Sequence, residues 1–305
     1  MEPWTFEPQV DPQAFAALGF AESSEGIARR QREYREGWWA HAERSKAFIM
    51  NAAMRARNHR LAVVLGAGKA YDLPLAELAK GFERMILVDI DAQALVSASA
   101  GAVPEPALRR RLELHTMDLT GVTSRLVREI GGAVDSDAFE KLCASYQLAG
   151  PPRLVPGEER ADLLVSALVL TQLALPFKLL AKQLYEQRFG AIARDAEPRW
   201  VKAWDEFDLR MQQDHIGALT GQADLAVLIS EVTHQVTAHV PGGSDRNTGE
   251  SWSLIGGGTL DQRIPASMEI VASNSWSWPR IRADGRKPGA RMDVGAVALR
   301  QRGSS

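Results

Sequence analysis

The sequence contains a single cysteine among its 305 residues. One thiol excludes an intrachain disulfide and a metal cluster held by several cysteines. The chain also lacks an H-E-x-x-H motif, and its two closest histidines, His234 and His239, are five positions apart. A P-loop pattern, G-x-x-x-x-G-K-[ST], is missing as well. The sequence therefore predicts neither a metal site nor a P-loop nucleotide site.

Charge and hydrophobicity are both spread along the chain. There are 36 basic and 38 acidic residues and no dense basic stripe, so no nucleic-acid partner is predicted. The longest apolar stretch, 163–177, contains Ser166, Thr171 and Gln172 and is too short and polar to span a bilayer. The N-terminus lacks the basic start and apolar run of a secretory signal. These absences predict a cytoplasmic protein without a membrane partner, and they leave open whether it is a monomer or a homo-oligomer.

From residue 61 onward, strand and helix patterns alternate. Four apolar runs have the composition of buried parallel strands: 61–65, 84–89, 161–166 and 223–230. Residues 112–116 alternate between apolar and polar and predict a further strand, the third in chain order. A Gly/Ser-rich loop is predicted over 241–265, and the strand patterns at 268–278 and 292–300 predict an antiparallel hairpin. The expected fold is α/β, doubly wound, with a mostly parallel seven-stranded sheet that ends in this hairpin.

The N-terminal segment has a helical sequence pattern without strand-like runs. After a Pro-rich lead, residues 25–60 contain no proline and carry apolar residues at helical spacing, which predicts a long helix. We expect residues 1–60 to form a helical cap or lid. Residues 61–305 then form the main domain, with helical insertions at about 121–160 and 176–220.

Small and acidic residues stand where the predicted strands end. Gly66-Ala67-Gly68 follows the first strand, where glycines allow a ligand close to the backbone. Asp89 ends the second strand, 23 positions after Gly66, a spacing that suits a carboxylate bound to ribose hydroxyls. Asp118 follows the third strand and Ser166 ends the fourth. Ligands bind outside such strand ends in open α/β sheets, although a tight turn, a helix cap or a turn before Gly121 would also use these residue types.

In this order the motifs resemble those of the class I S-adenosylmethionine-dependent methyltransferases, over about residues 61–300. Residues 63–68 (VVLGAG) are similar to the family's glycine-rich motif, and 86–89 (ILVD) to the strand whose acid holds the cofactor ribose. Residues 117–119 (MDL) resemble the segment that meets the adenine, and 162–173 the fourth-strand motif with its helix. The resemblance implies S-adenosylmethionine as cofactor and methyl transfer to a small-molecule acceptor by in-line displacement.

Two positions depart from the family pattern. Val64 stands where an acid usually precedes the first glycine, and Ala70 stands near the usual third glycine. Asp72, just beyond the loop, is a candidate to replace the missing acid as a cofactor contact. Two alternatives stay open: a methyltransferase-like fold that uses another ligand, such as a folate, or acts without catalysis, and an NAD(P)-dependent oxidoreductase. The oxidoreductase alternative conflicts with Tyr71, because the dinucleotide-binding fingerprint requires glycine or alanine at this position.

Candidate acceptor-binding residues precede the first strand. Tyr34, Trp38 and His41 form an aromatic cluster that either covers the acceptor or packs a helix on the sheet. His215, near the end of a predicted helix, either points toward the acceptor or interacts with that helix's C-terminus.

Candidate catalytic residues follow the fifth strand. Glu231 and His234 lie there on the side where ligands bind, and His234 is the histidine best placed to act as a base. The alternative for His234 is a solvated loop residue.

Overall fold

The computed structural model describes residues 11–145, 152–157, 159–190, 199–240, 245–284 and 287–303. The helices in these ranges are α1 (Pro12–Ala17), α2 (Phe20–Glu33), α3 (Arg35–Ala53), α4 (Leu75–Gly81), α5 (Ala92–Ala102), α6 (Pro106–Arg109), α7 (Thr123–Gly132), α8 (Ser136–Ser145), α9 (Leu175–Phe189) and α10 (Arg199–Gln222). The strands are β1 (Leu61–Leu65), β2 (Arg84–Asp89), β3 (Leu112–Thr116), β4 (Ala161–Ala167), β5 (Ala223–Ala238), β6 (Arg246–Ser253), β7 (Met268–Ile281) and β8 (Gly289–Gln301). None of these helices has the length and apolar character needed to cross a membrane.

The strands form one sheet in the order β3-β2-β1-β4-β5-β8-β7, with β6 paired to the far part of β5. The pairs among β1 to β5 are parallel, whereas β8 runs antiparallel between β5 and β7. The chain moves outward from β1 in one direction and from β4 in the other, so the strand order reverses between β1 and β4. Open α/β sheets bind ligands at the carboxyl ends of strands beside such a switch point.

The sheet is covered on both faces. All five residues of β1 are buried, and they alternate between two apolar cores. Val63 and Leu65 belong to the core that includes α7, α9 and α10, and Ala62 and Val64 to the core that includes α3, α4 and α5. Trp204 of α10 is fully buried in the first core, so this part of the expected 176–220 insertion packs directly on the domain.

The N-terminal helices pack across the far edge of the sheet. The long helix predicted over 25–60 is broken at Tyr34, whose backbone angles (φ −118°, ψ 42°) separate α2 from α3. A Cβ at Gly37 would overlap the carbonyl oxygen of Pro279, so only glycine lets α3 lie this close to β7. Trp38 is buried at this contact, with its ring edge-on to Trp278 at a centroid distance of 4.8 Å.

The predicted loop at 241–265 was partly wrong, because it contains β6. The sheet therefore has eight strands among the described residues, and not seven. β6 is exposed on both faces and so lacks the alternating apolar pattern of a half-buried strand. β5 also continues eight residues beyond its predicted end and pairs with β6, for example through His234 opposite Trp252.

Candidate functional site

A cleft of about 390 Å³ opens at the carboxyl ends of the strands, beneath α2. Its volume lies within the range of about 300–1,000 Å³ that is usual for small-molecule sites. The walls come from α2, from Trp38 of α3, from the segments after β1, β2, β3 and β4 with the starts of the helices that follow, from Glu231 of β5, and from Trp278 and Arg280 of β7. Of the predicted site residues, the cleft is lined by Trp38, Gly66, Ala67, Gly68, Asp72, Asp89, Asp118 and Glu231.

The turn after β1 forms one wall, and its geometry explains the glycines. Gly66 and Gly68 have φ angles of 62° and 47°, in the left-handed region. A Cβ at Gly66 would overlap the Cγ2 atom of Val169, so this position requires glycine for space as well as for conformation. Ala70 also has a positive φ, 56°, although it carries a side chain. Val64 is fully buried in the core.

Asp89 joins this turn to the end of β2. One carboxylate oxygen accepts a hydrogen bond from the Gly68 N–H (2.8 Å) and the other from the Asp91 N–H (2.9 Å). Burial raises the pKa of the Asp89 carboxyl to about 6, although these backbone donors act in the opposite direction. Asp91 itself caps α5 through the N–H groups of Gln93 and Ala94, which leaves Asp89 free for another partner. Each Asp89 oxygen retains a lone pair that can accept a further hydrogen bond.

Asp118 lines the cleft but is engaged with its own loop. Its carboxylate accepts hydrogen bonds from the N–H and hydroxyl of Thr120 and from the N–H of Thr123, at the start of α7. The Asp118 side chain therefore stabilises the turn before Gly121, which is the alternative role considered for this residue in the sequence analysis. Its neighbours Met117 and Leu119 add apolar surface to the cleft wall.

The chain leaves β4 in a strained turn. Leu168 has a φ of 59°, which is unusual for a residue with a branched side chain, and its N–H donates to the Ile229 carbonyl. Ala167, Leu168 and Val169 all line the cleft. Non-glycine residues in this conformation occur at Ala70 and Leu168 within the described ranges, and both stand at the cleft. Backbone strain is thus concentrated at the candidate site.

Ser166 and His215 lie away from the cleft and contact each other. Both are buried, and the Ser166 Oγ lies 2.9 Å from His215 Nε2. Burial lowers the pKa of His215 to about 4, so the ring is neutral at neutral pH. The structure brings these two predicted residues together on β4 and α10, outside the lining of the cleft.

The aromatic cluster of α3 has a defined hydrogen-bond pattern. The Trp276 indole N–H, which can only donate, bonds to His41 Nδ1 at 3.1 Å. Because Nδ1 accepts this hydrogen bond, the ring atom left to donate is Nε2. That atom lies 3.9 Å from a carboxylate oxygen of Asp72, and the ring stacks on Trp278 at 4.0 Å. His41 and Tyr34 therefore stand behind the cleft wall, whereas Trp38 and Asp72 reach its surface.

At the far end of the cleft, Glu231 of β5 is 3% exposed, and its carboxylate has two partners. Its carboxylate accepts a hydrogen bond from the Thr171 hydroxyl (2.6 Å) and forms an ion pair with Arg280 of β7 (3.1 Å). Arg30 of α2 lines the same end. Sequence reasoning singled out neither arginine, because an arginine in an amphipathic helix or a strand has no local signature of a site.

His234 lies behind Glu231 and outside the cleft lining. Its ring stacks on Trp252 of β6 with a centroid distance of 4.1 Å. Burial, and then the charge of Arg280, lowers the pKa of His234, while Glu231 opposes the shift. The residue is therefore neutral at neutral pH and packs against the β5–β6 pair.

Strand order and site architecture together define the type of fold. Five parallel strands in the order 3-2-1-4-5 are followed by an antiparallel strand inserted beside β5, and the glycine turn and strand-end acid face the switch point. The chain has the class I methyltransferase fold. This is the architecture that the sequence resemblance implied, with β6 as an additional strand.

Solved structures of similar fold include three methyltransferases. They are magnesium protoporphyrin IX methyltransferase (ChlM) from Synechocystis PCC 6803 with bound SAM (12% identity, 96% of this chain and 98% of that chain covered, TM-score 0.43), N-methyltransferase NodS from Bradyrhizobium japonicum WM9 (12%, 85% and 94%, 0.37) and CcbJ methyltransferase from Streptomyces caelestis (13%, 82% and 93%, 0.39). At these identities the likeness concerns the fold alone. No protein-family model matches the sequence, and no curated protein matches it.

Proposed function

We propose that this protein binds S-adenosylmethionine in the cleft and transfers its methyl group to a small-molecule acceptor by in-line displacement. The observation that carries this proposal is the position of Asp89. Its carboxylate is fixed to the glycine turn by the Gly68 N–H and lines the cleft with lone pairs available for the two ribose hydroxyls.

The order of the strands supports a division of the cleft into two halves. Asp89 and the apolar residues Ile90 and Leu119 stand at the ends of β2 and β3, and they suit the ribose and adenine of a nucleoside. Asp72 and the N–H-rich turn after β1 suit the amino-acid part of the cofactor. The half beyond β4, which includes Glu231, is left for the acceptor.

The enclosure of the cleft supports a small acceptor. Phe20 and Ile27 of α2 and Trp38 of α3 cover it from the N-terminal side. A lid of packed helices excludes water and restricts the size of the molecule that can enter. A polymeric substrate would need an open groove in place of these helices.

When bound, S-adenosylmethionine supplies an activated methyl group on a positively charged sulfur. The protein then has to align the acceptor and to remove a proton only where the acceptor carries one. Within the described lining, Glu231 is the carboxylate at the acceptor end, and its oxygens retain lone pairs beyond the bonds to Thr171 and Arg280. We therefore assign proton acceptance to Glu231 and not to His234, which is outside the lining.

The test is calorimetric titration with S-adenosylmethionine, S-adenosylhomocysteine, NADH and NADPH. We expect the two adenosyl compounds alone to bind, with affinities on the order of micromolar. Asp89→Ala should weaken their binding about a hundredfold or more, because two charge-assisted hydrogen bonds are lost. Asp91→Asn is the matched control, since it removes a charge at the same cleft while asparagine still caps α5.

Three results would contradict the proposal. Binding of NADH or NADPH alone would indicate an oxidoreductase, and binding of neither adenosyl compound would indicate another ligand, with folates next to be tested. Equal losses in Asp89→Ala and Asp91→Asn would show that charge, and not ribose recognition, decides affinity.

A further inference from the structure

Two guanidinium groups meet at the acceptor end of the cleft. Arg30 comes from α2 and Arg280 from β7, 250 positions later, and both line the cleft. The pKa of Arg30 is lowered first by burial and next by the positive charge of Arg280. Folding thus places two like charges close together in a partly desolvated space.

The carboxylates nearby do not satisfy both arginines. Glu231 pairs with Arg280 through one Nη atom, and the Arg280 Nε is buried without a partner. Within the described ranges, Arg30 forms neither an ion pair nor a hydrogen bond, and its Nε is also buried without a partner. The other charges that act on Arg30 are those of its helix neighbours, Arg29 and Glu33.

Such an arrangement is costly for the protein alone. A buried donor without an acceptor loses its hydration and gains nothing in return, and two guanidinium groups repel each other. Each guanidinium group is a planar set of donors that can bind a carboxylate in a bidentate manner, and both line the same cleft. A carboxylate bound beside them would accept from the unpaired donors and reduce the repulsion.

We infer that Arg30 and Arg280 form a carboxylate-binding subsite for the methyl acceptor, so that the substrate class is a small carboxylic acid. This inference rests on the proposed methyl transfer. Trp38 and Trp278 stand beside the subsite: the Trp38 indole N–H donates to the Arg280 carbonyl, and the guanidinium lies 5.3 Å from the Trp278 ring. These contacts hold Arg280 in place and add an apolar, aromatic wall for the body of the acid.

The amino-acid part of the cofactor is a second source of a carboxylate, and the sheet order favours the acceptor. Asp89 is on β2 and Arg280 is on β7, five strand spacings apart in the sheet. At the usual spacing of neighbouring strands this is about 24 Å between the two backbones. A ribose held at Asp89 is therefore far from β7 along the sheet, which favours the acceptor as the source of the carboxylate.

The first experiment distinguishes these two sources in Arg30→Gln. Arg29→Gln is the control, because it removes the same charge from an exposed position on the same helix. Affinities are measured by calorimetry for S-adenosylmethionine and for methylthioadenosine, which lacks the amino-acid carboxylate. Benzoate and benzamide are then titrated into protein saturated with S-adenosylhomocysteine, since this pair differs in charge and little in shape.

We expect wild-type protein and Arg29→Gln to bind benzoate and not benzamide, and Arg30→Gln to bind benzoate about ten- to a hundredfold more weakly. The S-adenosylmethionine affinity of Arg30→Gln should stay unchanged. Loss of S-adenosylmethionine but not methylthioadenosine binding would place the cofactor's own carboxylate at the arginines. Equal binding of benzoate and benzamide, or no binding of benzoate, would overturn the subsite while leaving the cofactor assignment intact.

A second measurement needs no ligand. If Arg30 is held without a partner for a substrate, Arg30→Gln should raise the melting temperature of the ligand-free protein by about 2–4 °C, because repulsion and a buried unpaired donor are removed. A lower melting temperature would show that Arg30 stabilises the fold and would overturn its assignment as a ligand group.

Discussion

Cofactor affinity should depend on pH through Asp89. In the ligand-free protein, burial raises the pKa of this carboxyl from its ordinary value of 3.8 to about 6. Ribose hydroxyls donate hydrogen bonds to the charged carboxylate, and its protonated form accepts them poorly. Binding below pH 6 must therefore release a proton from Asp89, and this release opposes binding.

The magnitude follows from the titration of one group. At pH 6 about half of the Asp89 side chains are charged, and at pH 5 about one in eleven, so affinity falls about fivefold between these values. At lower pH the fall approaches about tenfold per pH unit, or about 1.4 kcal/mol. Above pH 7 the affinity for the cofactor is constant. The free energy of unfolding depends on pH in the opposite direction. Because the pKa of Asp89 is raised in the folded state, this group favours folding below about pH 4, and the contribution is lost as pH rises from 4 to 6. Acid unfolding driven by Asp89 therefore does not explain weaker binding at pH 5.

The assay is calorimetry with S-adenosylhomocysteine at pH 5, 6, 7 and 8, in two buffers of different ionisation enthalpy. The difference between the buffers counts the protons released, which should approach one below pH 6 and zero above pH 7. Asp89→Asn should bind weakly and without pH dependence. Asp208 also has its pKa raised to about 6 by burial, but it lies on α10 outside the cleft. The same pH dependence in wild type and Asp89→Asn would refute the reasoning.

Three substitutions test the architecture around the cleft by urea unfolding. Gly66→Ala should lower the unfolding free energy by about 2–4 kcal/mol, because a Cβ in this left-handed turn overlaps Val169; unchanged stability would contradict the turn geometry. Ala70→Gly should raise it by about 0.5–1 kcal/mol by relieving the positive φ, and a decrease would contradict the strain. Trp38→Phe should lower it by about 1 kcal/mol through loss of the bond to the Arg280 carbonyl, and wild-type stability would argue against that bond.

The sequence predicted the first three parallel strands with their observed limits. β1 and β2 are apolar runs between two helical layers, whereas β3 is partly buried and has alternating apolar and polar residues. β6 could not be predicted in this way, because neither of its faces is buried. It is held by pairing with β5, for example Thr233 opposite Ser253, and long-range pairing leaves no periodic signal in a polar segment.

Some residues of the candidate site could be predicted from the sequence, and others could not. The glycine turn and Asp89 were predictable because strand ends that follow each other in the chain also lie side by side in the sheet. Ser166 was chosen on the same logic, but strand residues alternate between faces. Its side chain turns toward His215, and the next residue, Ala167, lines the cleft. An error of one residue is enough to move a side chain away from the ligand.

The charges of the cleft are arranged along the sheet. The carboxylates of Asp89 and Asp118 stand at β2 and β3 and accept hydrogen bonds from backbone N–H groups. These donors compensate the charge of Asp89 only in part, because burial still raises its pKa to about 6. At the other end, Arg30 and Arg280 stand beside one carboxylate, Glu231, which pairs with Arg280. Like positive charges therefore repel each other at the acceptor end, whereas the charged groups at the cofactor end are carboxylates. An anionic acceptor would reduce this repulsion on entering, so binding of the acceptor should stabilise the position of α2 over the cleft.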